Sequence, residues 1–143
     1  MIKSICVFCG ARDGVNPIYK EQAYELGKIL ADNQIRLIYG GASIGVMGAV
    51  AQGCLDNGGI VEGIIPQSII DLEVASDKLS KLHIVNSMHE RKQKMHDLSD
   101  AFICLPGGMG TLDEFFETST WKQLGYHKKS IAFLNTNNFY DPM

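Results

Sequence analysis

No stretch of this sequence is apolar for long enough to cross a bilayer, which takes about 20 residues. The first apolar run, Ile5-Cys6-Val7-Phe8-Cys9, is cut short by the polar turn Gly10-Ala11-Arg12-Asp13-Gly14 and falls short of a signal-peptide core. Excess charge is equally scarce. Lys and Arg number 13 against 16 Asp and Glu, a net charge of −3. That balance offers no basic field to nucleic acid or to an anionic membrane, so any bound phosphate has to be gripped locally. The four cysteines (6, 9, 54 and 104) lie mostly in apolar segments, as reduced thiols of a cytosolic protein do. Cys6-x-x-Cys9 would run along a strand, which argues against redox catalysis. The four histidines (83, 89, 96 and 127) have no metal-ligand spacing with the cysteines, and Gln93 stands where His-Glu-x-x-His needs its second histidine. A cytoplasmic protein without a metal is therefore expected.

What is present is alternation. At 143 residues and 45% hydrophobic content the chain suits one domain, taken as residues 1–143. Short apolar runs at Ile5–Cys9, Ile35–Tyr39, Ile60–Ile65, His83–Asn86, Ala101–Leu105 and Ile131–Leu134 read as strands. Between them, helical spacing recurs: Tyr19, Ala23, Leu26 and Leu30 behind an Asn16-Pro17 start, then Val46 to Leu55, Met88 to Leu98, and Leu112 to Leu124. From Gln67 to Lys81 the signal is weak and predicts a loop with one helical turn. Such βαβα order argues for an α/β fold, a parallel sheet with helices on both faces. The last nine residues, Asn135 to Met143, look like a loop approaching a further helix, so a missing C-terminal element is expected.

Two glycine-rich turns, Gly40–Gly48 and Gly107–Gly110, follow predicted parallel strands, where ligands of open α/β sheets bind. Neither spells Gly-x-Gly-x-x-Gly or carries the Lys-Ser/Thr of a P-loop, which disfavours an NAD enzyme or an ATPase. For the first turn, tight helix–strand packing is the competing reading. In the second, Pro106 stops the strand and the glycines allow close backbone approach. Thr111 takes the place of a helix N-cap, and the helix N-terminus behind it makes a phosphate cradle. Glu114 then stands one turn from that phosphate. Thr111-x-x-Glu114 also matches a capping box, but a cap needs no Pro-Gly-Gly-x-Gly ahead of it.

Met88-His89-Glu90-Arg91-Lys92 opens the preceding helix. At about 100° per residue Met88 and Met95 share a face, with Lys92 near its centre and Arg91 at one edge. Both cations could snorkel to solvent. The helix would begin along the same sheet edge as Gly107, however, where Arg91 could bind an anion or a ribose hydroxyl.

Pro106-Gly107-Gly108-Met109-Gly110-Thr111-Leu112-Asp113-Glu114 resembles the PGGxGTxxE signature of the LOG (Lonely guy) family, cytokinin riboside 5′-monophosphate phosphoribohydrolases once labelled lysine decarboxylases. Met88 to Lys92 resembles the family's second motif. Val7-Phe8-Cys9-Gly10, Tyr39-Gly40-Gly41, Gly45-Val46-Met47-Gly48 and Thr120-Trp121-Lys122-Gln123-Leu124-Gly125 resemble further segments in order. The resemblance implies a Rossmann-like, doubly wound homodimer that hydrolyses the N-glycosidic bond of AMP or N6-prenylated AMP. It implies Arg91 and Glu114 as the catalytic pair. Gly107, Gly108, Met109, Gly110 and Thr111 would hold phosphate and ribose, and Glu73, Lys92 and Thr120 would make further substrate contacts.

The residues suit that chemistry without the family. Cleaving a ribosyl C–N bond builds positive charge on the sugar, which a carboxylate such as Glu114 stabilises or answers with an activated water. No cofactor is required. The alternative is a non-catalytic carrier of a nucleotide or of molybdenum cofactor with the same fold.

Overall fold

The computed structural model describes residues 1–10, 12–14, 16–70 and 75–142. Glu73, expected to contact substrate, lies outside the described residues. Six strands form one parallel sheet: β1 (Ser4–Phe8), β2 (Arg36–Tyr39), β3 (Val61–Pro66), β4 (Lys81–Val85), β5 (Ala101–Cys104) and β6 (Ser130–Phe133), in the order β4-β3-β2-β1-β5-β6. The chain winds outward from β1 through β4, then crosses back to place β5 on the other side of β1. This α/β sheet is doubly wound, and its strand order reverses between β1 and β5.

Four helices cover it: α1 (Ile18–Asp32), α2 (Gly45–Asp56), α3 (Met88–Leu98) and α4 (Met109–Gln123). Alternation within the strands decides which face each helix meets. Ile5 and Val7 of β1, with Cys9 just past its end, point into a core with Ala23 and Leu30 of α1 and Val46, Val50 and Cys54 of α2. Cys6 and Phe8 point the other way, packing with Met95 of α3 and Phe115 of α4. The strands are thus buried on both faces, which is why they read as unbroken apolar runs.

The first two helices cross at glycines. A Cβ on Gly27 would lie 2.1 Å from the Val50 carbonyl oxygen, and one on Gly53 would lie 2.0 Å from that of Tyr24. Neither was marked by the helical spacing. The helix α1 begins at Ile18, so Pro17, expected at the first helical position behind an Asn16 cap, stands at the N-cap itself with helical φ and ψ, while Asn16 Oδ1 accepts from the Ile18 N–H at 3.0 Å. Among the described residues of the weak segment after β3, Gln67–Ile69 form a 3₁₀ turn. The predicted fourth strand is real but begins two residues earlier, at Lys81.

Candidate active site

The glycine turn after β5 begins the helix earlier than its sequence suggests. Gly108, not Thr111, is the N-cap of α4, and the helix starts at Met109. Thr111 is buried within the first turn, at 3% exposure. The capping-box reading of Thr111 and Glu114 fails with it, because both lie inside the helix. The box sits on α3 instead. Ser87 Oγ accepts from the Glu90 N–H at 3.1 Å, and the Glu90 carboxylate accepts from the Asn86 N–H at 3.1 Å. That cap fixes where α3 starts, and hence the turn on which Arg91 rides.

The two glycine-rich turns have different fates. In the first, the Val46 and Met47 N–H groups of α2 donate to the Arg12 and Gly10 carbonyls at 3.0 Å each. The start of α2 is thereby spent on packing the β1–α1 loop, and a Cβ on Gly48 would lie 2.4 Å from the Ser43 oxygen. In the second, Cβ atoms on Gly108 and Gly110 would meet nothing within 4 Å. Those glycines border space, at a helix end whose first N–H groups have no intrahelical acceptor.

That space is a cavity of about 840 Å³ at the carboxyl ends of β1, β2 and β5, the point where strand order reverses. Gly107, Gly108, Met109, Gly110, Thr111, Arg91 and Glu114 all line it, so seven of the ten expected site residues converge there. Lys92 and Thr120 are not among its lining residues. On α3 it is Arg91, not Lys92, that joins Met88 and Met95 along the cavity wall. The expectation of Lys92 near the centre of that stripe does not hold, since at about 100° per residue both cations stand roughly 50° from it and the spacing decides nothing. The ends of the side chains do, because Lys92 Nζ reaches α4 and pairs with Asp113 at 2.8 Å and Glu117 at 2.7 Å. Thr120 lies exposed on α4, its Oγ1 donating to the Phe116 carbonyl at 2.8 Å.

Arg91 does not snorkel. Its residue is 5% exposed, with Nε donating to the Ile64 carbonyl at 2.9 Å and Nη2 to the Gly40 carbonyl at 2.8 Å. Gly40 has to be glycine for this, since a Cβ there would come within 2.4 Å of Nη2. The guanidinium is therefore held in one orientation by the ends of β2 and β3. The charges of Glu114 and Arg91 both reach the buried Cys6 thiol. Burial pushes that thiol well up, with Glu114 adding to the rise and Arg91 opposing it. Cys104 is pushed up to about 12 by burial and then by Glu114. Burial thus keeps both thiols protonated in the core.

Several wall residues were not among the expected site residues. Cys9, Gly10 and Arg12 arrive from the β1–α1 connection, Tyr19 from the first turn of α1, and Phe139 from the C-terminal segment. Phe139 stacks edge-on against Tyr19 at 5.9 Å, while the Tyr140 hydroxyl donates to the Leu105 carbonyl and Thr136 Oγ1 lies 2.7 Å from Gln22 Oε1. Residues 135–142, expected only as a loop toward another helix, thus close one side of the cavity.

Comparison with known proteins places this geometry. The chain is 48% identical over 142 residues to a cytokinin riboside 5′-monophosphate phosphoribohydrolase of Rhodococcoides fascians, covering 99% of this chain and 72% of the relative. It is also 48% identical over 140 residues to the LOG protein of the same name from Oryza sativa subsp. japonica, covering 98% of this chain but 58% of that one. The chain therefore spans well under the full length of the curated relatives it matches. Among solved structures, a molybdenum cofactor carrier protein from Chlamydomonas reinhardtii superposes with a TM-score of 0.78 over 96% of this chain and 79% of that chain. At 23% identity that is a likeness of fold. Residues 47–143 also match the model of a family described as "possible lysine decarboxylase". Identity near one half along almost the whole chain leaves no room for a fold-only likeness: the protein belongs to the LOG family, that of the cytokinin riboside 5′-monophosphate phosphoribohydrolases.

Proposed function

We propose that the protein hydrolyses the N-glycosidic bond of AMP or of N6-modified riboside 5′-monophosphates, releasing the free base and ribose 5-phosphate. One observation carries the reading: a fixed guanidinium, a carboxylate and an open-glycine helix start line one cavity at the strand-order reversal. The names of the curated relatives point to the same substrate class.

The 5′-phosphate sits at the N-terminus of α4, taking N–H groups of the Gly108–Thr111 turn, with the positive end of the helix dipole behind them. This anchors a part of the substrate remote from the bond that breaks, so its binding energy serves the reacting carbon. Glu114 lies one turn further along the same helix, close to where the anomeric carbon then falls. As the base leaves, its carboxylate faces the growing positive charge and draws a proton from the attacking water. Arg91, already tied to two carbonyls, orients ribose and carboxylate without reorganising. The chemistry requires no cofactor.

A homodimer accompanies this reading. Phe116 and Thr120 of α4 and Leu124 at its C-cap form an i, i+4, i+8 row, and Phe116 and Leu124 are 57% and 63% exposed. Met95, Leu98 and Phe115 of the same two helices pack on the chain's own core. Met88 lines the cavity. A second copy covers the Phe116–Leu124 row as an isologous contact and braces the helix that carries Glu114. Light scattering at micromolar concentration gives twice the monomer mass, and a fully active monomer would sink this part of the proposal. With no helix among the described residues long and apolar enough to cross a membrane, the cytoplasm is the proposed setting.

The test of the activity is incubation with AMP and with prenylated AMP, followed by chromatography for free base. Stoichiometric nucleotide binding without release of base would instead make the protein a carrier, a role in which Glu114 has nothing to do.

A further inference from the structure

Among the described residues two arginines line the cavity, Arg12 and Arg91. Arg91 is committed, its Nε and Nη2 donating to the Ile64 and Gly40 carbonyls. Arg12 is committed only through its backbone, whose carbonyl accepts from the Val46 N–H at 3.0 Å. Its exposed side chain makes no hydrogen bond or ion pair to any described residue. Arg12 also borders an open hollow along α1 and α2, but the acid of that hollow, Asp13, pairs with Lys20 at 3.4 Å. Of the two acids on the cavity wall, Asp113 pairs with Lys92 and Glu114 serves the sugar in the reading above.

Topology sets this arginine beside the phosphate turn. β1 and β5 run in register to their ends, Phe8 opposite Cys104, and the Leu105 N–H donates to the Phe8 carbonyl at 2.9 Å. The loop that leaves β1 therefore starts alongside the turn that leaves β5. Arg12 stands four residues past Phe8, as Gly108 stands four past Cys104. The start of α2 pins the loop there through the Gly10 and Arg12 carbonyls.

Charge supplies the need. A phosphate monoester carries roughly −1.5 to −2 at neutral pH, whereas a helix N-terminus offers about half a positive charge. The protein adds no basic field, since its net charge is −3. The α4 turn alone thus leaves most of the phosphate charge unanswered.

We infer that Arg12 is the second grip on the 5′-phosphate, closing on it from the neighbouring β1–α1 loop. Its planar fork takes two phosphate oxygens at once. The exposed side chain is ordered only when the anion arrives. The inference rests on the hydrolase reading for the identity of the substrate, but the grip itself requires no turnover.

The experiment uses the whole chain and measures binding of ribose 5-phosphate and of adenosine by calorimetry, with base release from AMP alongside. Arg12→Ala binds ribose 5-phosphate about tenfold more weakly, the weight of one charge-assisted hydrogen bond. Its KM for AMP rises by a similar factor, while its affinity for adenosine does not follow. Arg12→Lys, which keeps the charge and loses the fork, recovers part of the loss. Lys28→Ala removes an equal charge from an exposed position of α1 outside the cavity lining and binds ribose 5-phosphate as the wild type does. Wild-type affinity in Arg12→Ala, an equal loss in Lys28→Ala or an equal loss for adenosine overturns the inference. A lowered melting temperature in Arg12→Ala overturns it too, by giving that side chain a place in the fold. Ribose 5-phosphate held through Arg12 with no base released from AMP upholds the grip and sinks the hydrolase reading.

Discussion

Gly107 and Thr111 are packed so closely that a Cβ on Gly107 would lie 2.2 Å from Thr111 Oγ1. Thr111 is 3% exposed and has nowhere to move. Three residues on from Gly107, the constraint vanishes, because a Cβ on Gly110 would meet nothing within 4 Å. One glycine shapes the turn and the other keeps room for whatever occupies it.

The two substitutions should therefore part company. Gly107→Ala forces the turn open and lowers stability by about 1–3 kcal/mol, as overpacking does. Gly110→Ala leaves stability unchanged or raises it by up to about 1 kcal/mol, the ordinary gain of alanine over glycine in a helix. It nonetheless raises KM for AMP by about tenfold or more, because the methyl group stands where the phosphate approaches. Adenosine is a far poorer substrate than AMP for the wild type, and Gly110→Ala leaves its rate unchanged. Thermal melts with steady-state rates on both compounds check this. A Gly110→Ala enzyme with wild-type KM for AMP would take the phosphate away from this turn.

Glu114→Gln keeps the shape of the cavity wall and removes the carboxylate charge. Hydrolysis of AMP should fall by about 10²–10⁴-fold, the usual weight of a general acid or base. Binding of AMP, measured by calorimetry, should persist, since the α4 N-terminus is untouched. Wild-type turnover in this variant would leave Glu114 as an ordinary helix residue.

Lys92, placed by family resemblance among the substrate contacts, has its ammonium between two carboxylates of α4. Burial alone would push it down, but the bonds to Asp113 and Glu117 outweigh that and hold it above its usual value. Asp113 and Glu117 flank Glu114 on the helix, so Lys92 sets how α4 presents its carboxylate to Arg91. Lys92→Met should lower kcat by about ten- to a hundredfold, the effect of a small misplacement at the reacting centre. Arginine at this position should recover part of the loss. KM should stay nearly constant in both, and a KM effect alone would return Lys92 to direct contact.

The sequence made the fold and the glycine loop legible because both depend on local patterns. Strands buried on two faces are apolar throughout, and Pro-Gly-Gly-x-Gly after a strand has few other uses. The length of side-chain reach was not legible. Helical spacing leaves Arg91 and Lys92 about equally far, roughly 50°, from the Met88–Met95 stripe, and carbonyls of Gly40 and Ile64, far off in sequence, draw Arg91 to the cavity. The same blindness hid Ser87-x-x-Glu90, a capping box one turn before the arginine, while a false one was visible at Thr111. Phe139 escaped because only the folded-back chain end brings it to Tyr19.

A last prediction concerns acid. His96 of α3 is 6% exposed, lies 4.7 Å from the Phe102 ring and 4.5 Å from that of Trp121, and shares a 3.0 Å hydrogen bond with Thr118 Oγ1 of α4. Burial, then His127, then Lys129 lower its pKa from 6.5 to about 4, with Asp97 opposing weakly. His127 adds no acceptor, since its Nδ1 takes the Lys129 N–H and its Nε2 faces the Thr118 carbonyl. Between pH 4 and 6.5 the unfolded chain binds the proton and the folded chain does not. Stability is therefore full above about pH 6.5 and falls as pH drops toward 4, by about 3 kcal/mol over that window. Denaturant melts of wild type and His96→Gln across pH 4–7 test the sign: the variant should lose this part of the slope, and an equal slope in both would place the acid sensitivity elsewhere.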